Sequence, residues 1–332
     1  MSNPIISLSL AARMTLNMHS LNNEGGEGNQ IQTRMIDIVD AENTLHNVNA
    51  ISGDMLKHVL MEHFYHRAKE EHLNLCTSCQ QFNVNRINAD DQFLATASSK
   101  DAEFIDQLLQ HCAMDDIGGI LVTEGKRSVP RKSVCEFGWV AALPELSRTE
   151  SYFHVKYVPE RGKKQLQADA DEQKGGANRG QNIFHRPASS GVYALVSHFE
   201  LNRIGYNDIT QTYALSEEER KRRMTLLLES VMYTFLELNG AMRSTQLPHL
   251  VALEGFIATS DSAIPAPLIS PLIGGSENEK RFEYRKQAQR IANALNGKGP
   301  KHINIETFDT LPEFAEKMRD VIDSSTPQAL TW

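Results

Sequence analysis

An alternation near the start of the chain restricts its fold more than any other feature. Between residues 6 and 18 the even positions are Ile6, Leu8, Leu10, Ala12, Met14, Leu16 and Met18, while the odd ones include Ser7, Ser9, Arg13, Thr15 and Asn17. A period of two sends successive side chains to opposite faces of a sheet, so this segment predicts a long strand with one buried face and one wet face. The rest of the chain must then flank that strand and cover it. With 332 residues, 40% of them hydrophobic, there is material for one large domain or two small ones, which excludes disordered and fibrous classes.

The remaining patterns fill out a mixed fold. Residues 21–34 are polar with Gly25, Gly26 and Gly28 and read as a loop, followed by a short strand over 35–39. Ser52 offers an N-cap, with Asp54 in the first turn and Leu56, Val59, Leu60 and Phe64 at helical spacing, predicting a helix from Gly53 to about His72. Residues 73–150 look inserted: they hold all four cysteines, a helix with Phe104, Ile105, Leu108 and Leu109 on one face, and a strand over 120–123. Strands follow over 152–158 and 191–201, the second apolar on both faces and therefore central, joined by a polar tract over 161–190 that suggests a hairpin with a long tip. Ser216 and Glu219 form a capping box before a stripe of Met224, Leu227, Leu228, Val231, Phe235 and Leu238, and a strand over 250–259 comes next. Strand, helix, strand, strand, helix, strand is the split βαβ order, an α+β, ferredoxin-like sheet with helices on one face. A loop over 265–276, a helix over 281–296, a strand over 302–308 and a last helix opened by Thr310 and Glu313 complete the chain, with no internal repeat.

Charge and cysteine content narrow the function classes. The net charge is −8, the opposite of the usual nucleic-acid binder, but residues 120–190 carry 12 Lys and Arg against 8 Asp and Glu, leaving −12 for the rest. Lys126, Arg127, Arg131 and Lys132 cluster in that window, as do Arg161, Lys163 and Lys164. The run from Arg220 to Arg223 follows three glutamates and is expected to pair within its helix. No apolar run approaches the roughly 18 residues that span a bilayer, and no signal peptide is evident, so the expectation is a cytoplasmic protein with no membrane partner. Four cysteines are too few for a disulfide scaffold. Cys76 and Cys79 have zinc-knuckle spacing, Cys112 is the natural third ligand, and Asp115 is the first candidate for the fourth, ahead of Cys135 and His111. Two ordinary buried thiols are the alternative.

Candidate ligand contacts lie near the long strand. Its odd face places Arg13, Asn17 and His19 in one row, followed by Asn22 and Asn23, a set of donors suited to phosphate and sugar oxygens. Any solvent-facing strand also shows a polar face. Ser52 and Gly53 open a helix that carries Lys57 and His58, so backbone N–H groups and a cation could hold a phosphate, although Asp54 could equally pair with both. No phosphate-binding loop, nucleophile elbow or His-Glu-x-x-His motif occurs.

Two blocks carry a resemblance. Met14-Thr15-Leu16-Asn17-Met18-His19-Ser20-Leu21-Asn22-Asn23-Glu24-Gly25 and Asn49-Ala50-Ile51-Ser52-Gly53-Asp54-Met55-Leu56-Lys57-His58 resemble the DevR family of CRISPR-associated proteins, the repeated backbone subunit of type I Cascade complexes. Arg131-Lys132-Ser133, Ala194-Leu195-Val196 and Arg203-Ile204-Gly205 resemble it too, so the likeness runs in patches over the first 205 residues. The resemblance implies an RRM-like palm (1–72 and 151–260), a helical fingers insertion (73–150) with the cysteine site, a thumb hairpin at about 160–190, and C-terminal elements (261–332) completing the palm. It implies RNA contacts by Arg13, Asn17, His19, Asn22, Asn23, Ser52, Gly53, Lys57, His58, Arg131 and Lys132, while the metal expected at Cys76, Cys79, Cys112 and Asp115 rests on spacing alone. The glycine-rich loop expected near the C-terminal end is reduced to Gly274-Gly275.

The sequence therefore points to a non-catalytic scaffold, with possible structural zinc, whose partners are CRISPR RNA, further copies of itself, other Cascade subunits, and target DNA through the guide. One rival is an RNA-cleaving backbone subunit using Asp37 or Asp40; another is a zinc-containing regulator that touches nucleic acid through its cysteine region.

Overall fold

The computed structural model of the protein describes residues 3–27, 30–124, 127–157, 181–273 and 281–329. The elements that build it are β1 (Ser7–His19), β2 (Met35–Val39), β3 (Leu45–Ile51), α1 (Gly53–Glu70), α2 (Asp101–His111), β4 (Val140–Tyr157), β5 (Gln181–Phe199), α3 (Glu217–Leu236), β6 (His249–Ser260), α4 (Glu283–Asn296), β7 (Ile303–Phe308) and α5 (Leu311–Ser324). Among the described residues the main sheet has ten strands; seven of them run antiparallel in the order β7-β6-β1-β5-β4-β3-β2, and the short strands Asn23–Glu27, Gln30–Thr33 and Cys135–Phe137 pair off this path. Within it the run β6-β1-β5-β4 brings together the strands flanking α1 and α3, with β1 hydrogen-bonded on both sides: Arg13 faces Ala194 of β5 and Glu254 of β6.

Three helix starts follow from capping chemistry. The hydroxyls of Ser52, Ser216 and Thr310 accept from the backbone N–H groups of Met55, Glu219 and Glu313, three residues on in each case. Behind those caps, Leu56, Leu60 and Phe64 of α1 and Met224, Leu227, Leu228, Val231 and Phe235 of α3 pack against Leu8, Leu10, Met14 and Leu16 of β1 in one core, which continues without a break into Phe104, Leu108 and Leu109 of α2. No helix among the described residues is long and apolar enough to cross a membrane.

Several expectations are corrected. β1 is not half-buried: from Ser7 to Met14 both faces are covered, because α4 packs on the face opposite α1 and α3. Its Tyr284 and Ala288, with Ala266, meet Ala11, Phe256 and Ala258, small and flat enough to admit a helix, so helices lie on both faces rather than one. The polar segment after β1 is a hairpin of strands Asn23–Glu27 and Gln30–Thr33, not a loop. The strand expected from residue 152 begins at Val140, where it pairs with Ile51. Arg220 to Arg223 do more than pair within α3. Arg222 and Arg223 do reach Glu219, but Arg220 is buried, donating to the Ile204 and Gln328 carbonyls with its guanidinium 3.7 Å from the Tyr213 ring centroid. The tip of the expected thumb (158–180), including Arg161, Lys163 and Lys164, lies outside the described residues, as do Lys126 and Gly274-Gly275.

Candidate functional site

The two sequence blocks singled out above meet at the end of the sheet. Asn22 Oδ1 accepts from the backbone N–H of Ser52 at 2.8 Å, tying the exit of β1 to the N-terminus of α1. Asn22 and Ser52 are thus spent on each other and on the helix cap. Gly53 has a steric reason to be glycine, since a Cβ there would sit 2.5 Å from the Phe137 carbonyl oxygen. What remains free on the first two turns is Lys57, half-buried and without an ion-pair partner among the described residues, and the exposed His58. The pairing of both with Asp54 does not form. Burial lowers the Lys57 pKa, as expected of an ammonium group with no carboxylate against it.

Two grooves flank that turn. One, about 750 Å³, is lined by Asn22, Ser52, Asp54, His58, Gly240 and Arg243. The other, about 540 Å³, lies between α1 and the cysteine region and includes Lys57, His58, Phe82, Arg86 and Met114. Arg243 and Arg86 stand alone in the sequence, in no charge run and no motif, so only tertiary contact reveals them.

Three residues expected at the RNA are buried within the chain, and a fourth, Lys132, is ion-paired on its surface. Arg13 is buried beneath residues 271–273, where Nε and Nη2 donate to the Pro271 carbonyl at 3.1 and 2.9 Å and Nη2 also to that of Ile273 at 3.2 Å. His19 leaves the odd row because Met18 takes a left-handed φ of 55°, which turns His19 to the core face; there Nε2 meets the Tyr193 hydroxyl at 2.8 Å and burial holds its pKa down to about 4. Arg131 is buried against Asp116 at 2.6 Å, and its partner in the motif, Lys132, binds Glu200 at 2.8 Å and Glu136 at 3.2 Å. Of the remaining residues, Asn17 is half-buried on β1 and Asn23 begins the hairpin strand. The two aspartates of the nuclease reading are both engaged: Asp40 accepts from the Glu42 and Thr44 N–H groups and pairs with His46 at 2.7 Å, and Asp37 accepts from Asn47.

The cysteine region does assemble. Cys76 and Cys79 flank the entry to a 3-10 turn, Cys112 ends α2, and Asp115 lies in the short helix Ala113–Gly118 that follows it. All four are buried, and one ligand atom from each lies within 4.8 Å of the others. Both Cys76 Sγ and Cys79 Sγ stand 3.8 Å from Asp115 Oδ2. A tetrahedron with a metal–sulfur bond of about 2.3 Å and a metal–oxygen bond of about 2.1 Å has a sulfur–oxygen edge of about 3.6 Å, so these separations lie close to those a zinc ion would impose. Protonation tells the same story. The thiols of Cys112 and Cys79 hold Cys76 down to about 5, while burial pushes Cys112 and Asp115 up and the neighbouring thiols push Cys79 up. A divalent cation bound there would displace protons from these acids. Asp115 Oδ1, fully buried, has no hydrogen-bond partner among the described residues. Of the other fourth-ligand candidates, Cys135 lies apart with Sγ against the Ile117 carbonyl, and His111 stacks on Phe93 and meets Asp90.

Comparison with known proteins finds similar chains. The family described as "CRISPR-associated negative auto-regulator DevR/Csa2" matches residues 10–280. A protein of Methanocaldococcus jannaschii named "CRISPR-associated protein Cas7/Cst2/DevR" is 26% identical over 335 residues, spanning 95% of this chain and 96% of its own. Among solved structures, a chain of a "CRISPR RNA-guided surveillance complex" superposes with a TM-score of 0.50 at 11% identity over 96% of this chain and 98% of its own, and one of a complex titled "pre-nicking" gives 0.49 at 11% identity over 95% and 100%. With the family profile spanning most of its length, this chain belongs to the DevR/Csa2 family of CRISPR-associated proteins.

Proposed function

We propose that this chain is a non-catalytic backbone subunit of a type I Cascade complex, binding CRISPR RNA along its phosphates, lining up with further copies of itself, and presenting the guide for pairing with target DNA. The strands β6-β1-β5-β4 with α1 and α3 serve as an RRM-like palm, and residues 73 to about 134 as fingers stapled by zinc. The observation that carries this reading is the Asn22–Ser52 hydrogen bond, which gathers two family motifs separated by thirty residues around one helix start whose Lys57 has no ion-pair partner among the described residues. An unpaired cation beside a groove is what a phosphate contact needs, and backbone contacts fit a protein whose sequence specificity is delegated to base pairing. An acidic exterior is compatible with this, because only the groove has to attract RNA. Zinc would lock the fingers by cross-linking two segments, and its ligands are this chain's own Cys76, Cys79, Cys112 and Asp115.

The test is purification through a tag on this chain from cells that co-express the cognate CRISPR array. The expected product is an oligomer with an absorbance ratio indicating bound RNA of guide length. A monodisperse monomer free of nucleic acid would overturn the reading.

A further inference from the structure

A third cavity, of about 580 Å³, lies between the end of α2, the short helix Asp91–Thr96 and residues 73–80, and shares no lining residue with the two grooves described above. Its chemistry is the reverse of a phosphate site. Among the described residues it is lined by no Lys or Arg, and its polar groups are mostly side-chain amides. Three of these are fixed in one orientation, because only an amide NH2 can pair with a backbone carbonyl. Asn74 Nδ2 donates to the Gln110 carbonyl at 3.2 Å, Gln80 Nε2 to that of Leu75 at 3.1 Å, and Gln110 Nε2 to that of Ala214 at 3.1 Å. Each amide oxygen is thereby left over as an acceptor.

Beside those oxygens stands a flat platform. The His111 ring stacks on Phe93 with centroids 4.6 Å apart and planes 11° apart, and Phe93 rests in turn on Phe104 at 5.6 Å. The far end of this aromatic column already carries a guanidinium, with Arg127 Cζ 4.1 Å from the Phe104 ring centroid. The near end is open, since His111 is 39% exposed and lines the cavity. Behind it Asp90 lies buried, with Oδ2 3.2 Å from His111 Nε2. Burial opposes its charge, yet the N–H groups of Phe93 and Thr77 hold its pKa down to about 2, so a fixed anion backs the platform.

We propose that this cavity is a docking site for an arginine side chain presented by a partner protein, its guanidinium lying on His111 and donating to the amide oxygens of Asn74, Gln80 and Gln110. A guanidinium has five N–H donors and no acceptor, is planar, and stacks on rings as a compact ammonium does not. Leu73, Leu75 and Ala97 supply an apolar floor for its methylene stem, and the volume leaves room for the residues on either side of it. A nucleic acid would bring phosphates to a site with no cation and with an anion behind it, so the inference is independent of the RNA-binding reading.

The experiment titrates the full chain, as purified, with three blocked tripeptides, acetyl-Gly-Xaa-Gly-amide with arginine, lysine or citrulline at the centre, and with uridine, and reads binding by ligand-observed saturation-transfer NMR. The arginine peptide should bind about tenfold more tightly than the lysine peptide, which has the charge without the fork, and than the citrulline peptide, which has the shape without the charge. Gln107→Lys, at an exposed position of α2 on the cavity wall, adds a cation and should weaken arginine binding about tenfold. Thr96→Lys, exposed on the neighbouring short helix, should do the same and serves if the first variant does not fold. Equal binding of the arginine and lysine peptides would overturn the guanidinium assignment, as would equal binding of the citrulline peptide. Unchanged arginine binding in both folded variants would mean that the peptide sits elsewhere on an acidic surface, and would overturn the site. Uridine binding more tightly than the arginine peptide would make the cavity a nucleobase site instead, and no transfer to the arginine peptide at concentrations up to about 10 mM would leave no docking site at all.

Discussion

Asp116 and Arg131 form an ion pair at 2.6 Å with neither side chain exposed to solvent, and Arg223 closes on the other carboxylate oxygen at 2.9 Å. Three segments thereby share one buried charge cluster: the short helix carrying Asp115, the hairpin strand Arg127–Arg131, and α3. Arg131 also donates to the carbonyls of Arg203 and Tyr206. Breaking such a pair leaves a buried charge unpaired, so Asp116→Ala or Arg131→Ala should each cost about 3–5 kcal/mol in urea unfolding. Arg222→Ala, on the exposed side of α3, should cost less than about 1 kcal/mol. Equal, small effects at all three positions would mean the cluster is not formed in solution.

Arg13 is the second case in which a basic residue expected at the RNA serves the fold. Its three hydrogen bonds hold residues 271–273 over the sheet, and Arg13→Ala strands two carbonyls, for an expected loss of about 3 kcal/mol. RNA affinity per folded molecule should be unchanged. A variant of normal stability with weakened RNA binding would return Arg13 to the interface.

The metal site makes a stoichiometric prediction. Elemental analysis should find about one zinc per chain, and a chelator should lower the unfolding midpoint. Cys76→Ser with Cys79→Ser should remove the zinc, whereas Cys135→Ser, at a buried thiol outside the cluster, should retain it. Full zinc content in the double variant would dissolve the assignment.

His19 gives the pH dependence its sign. Burial holds the folded pKa at about 4, below the roughly 6.5 of an unfolded histidine, so between those values the unfolded chain binds more protons. The stability contributed by neutral His19 is complete above about pH 6.5 and is lost as pH falls towards 4, by about 2 kcal/mol between pH 6.5 and 4.5. Urea midpoints measured across that range should fall in the wild type and fall less in His19→Gln. Identical slopes would place the histidine in water.

Local chemistry is legible in the chain itself. Caps at Ser52, Ser216 and Thr310 depend on a hydroxyl and a backbone N–H three residues away, and the stripes on α1, α2 and α3 depend on a fixed helical period, so each can be placed from neighbours in the chain. The spacing of Cys76 and Cys79 is local too, and Cys112 with Asp115 repeats it. What the sequence leaves open is which groups are covered from a distance. Arg13 is buried because α4 and residues 271–273, some 260 positions further on, close over its face of the sheet; Arg131 is buried because Asp116 and Arg223 converge on it. A single backbone torsion at Met18 turns His19 from the polar row into the core. Periodicity and spacing therefore determined the long first strand, the principal helices and the metal-ligand pattern, but not the hairpin after β1, β3 or the first half of β4. Only tertiary packing decided which basic side chains stay free for a ligand, because the cost of leaving a charge or a carbonyl unpaired depends on what else is packed around it, and that is not encoded in any short stretch of chain.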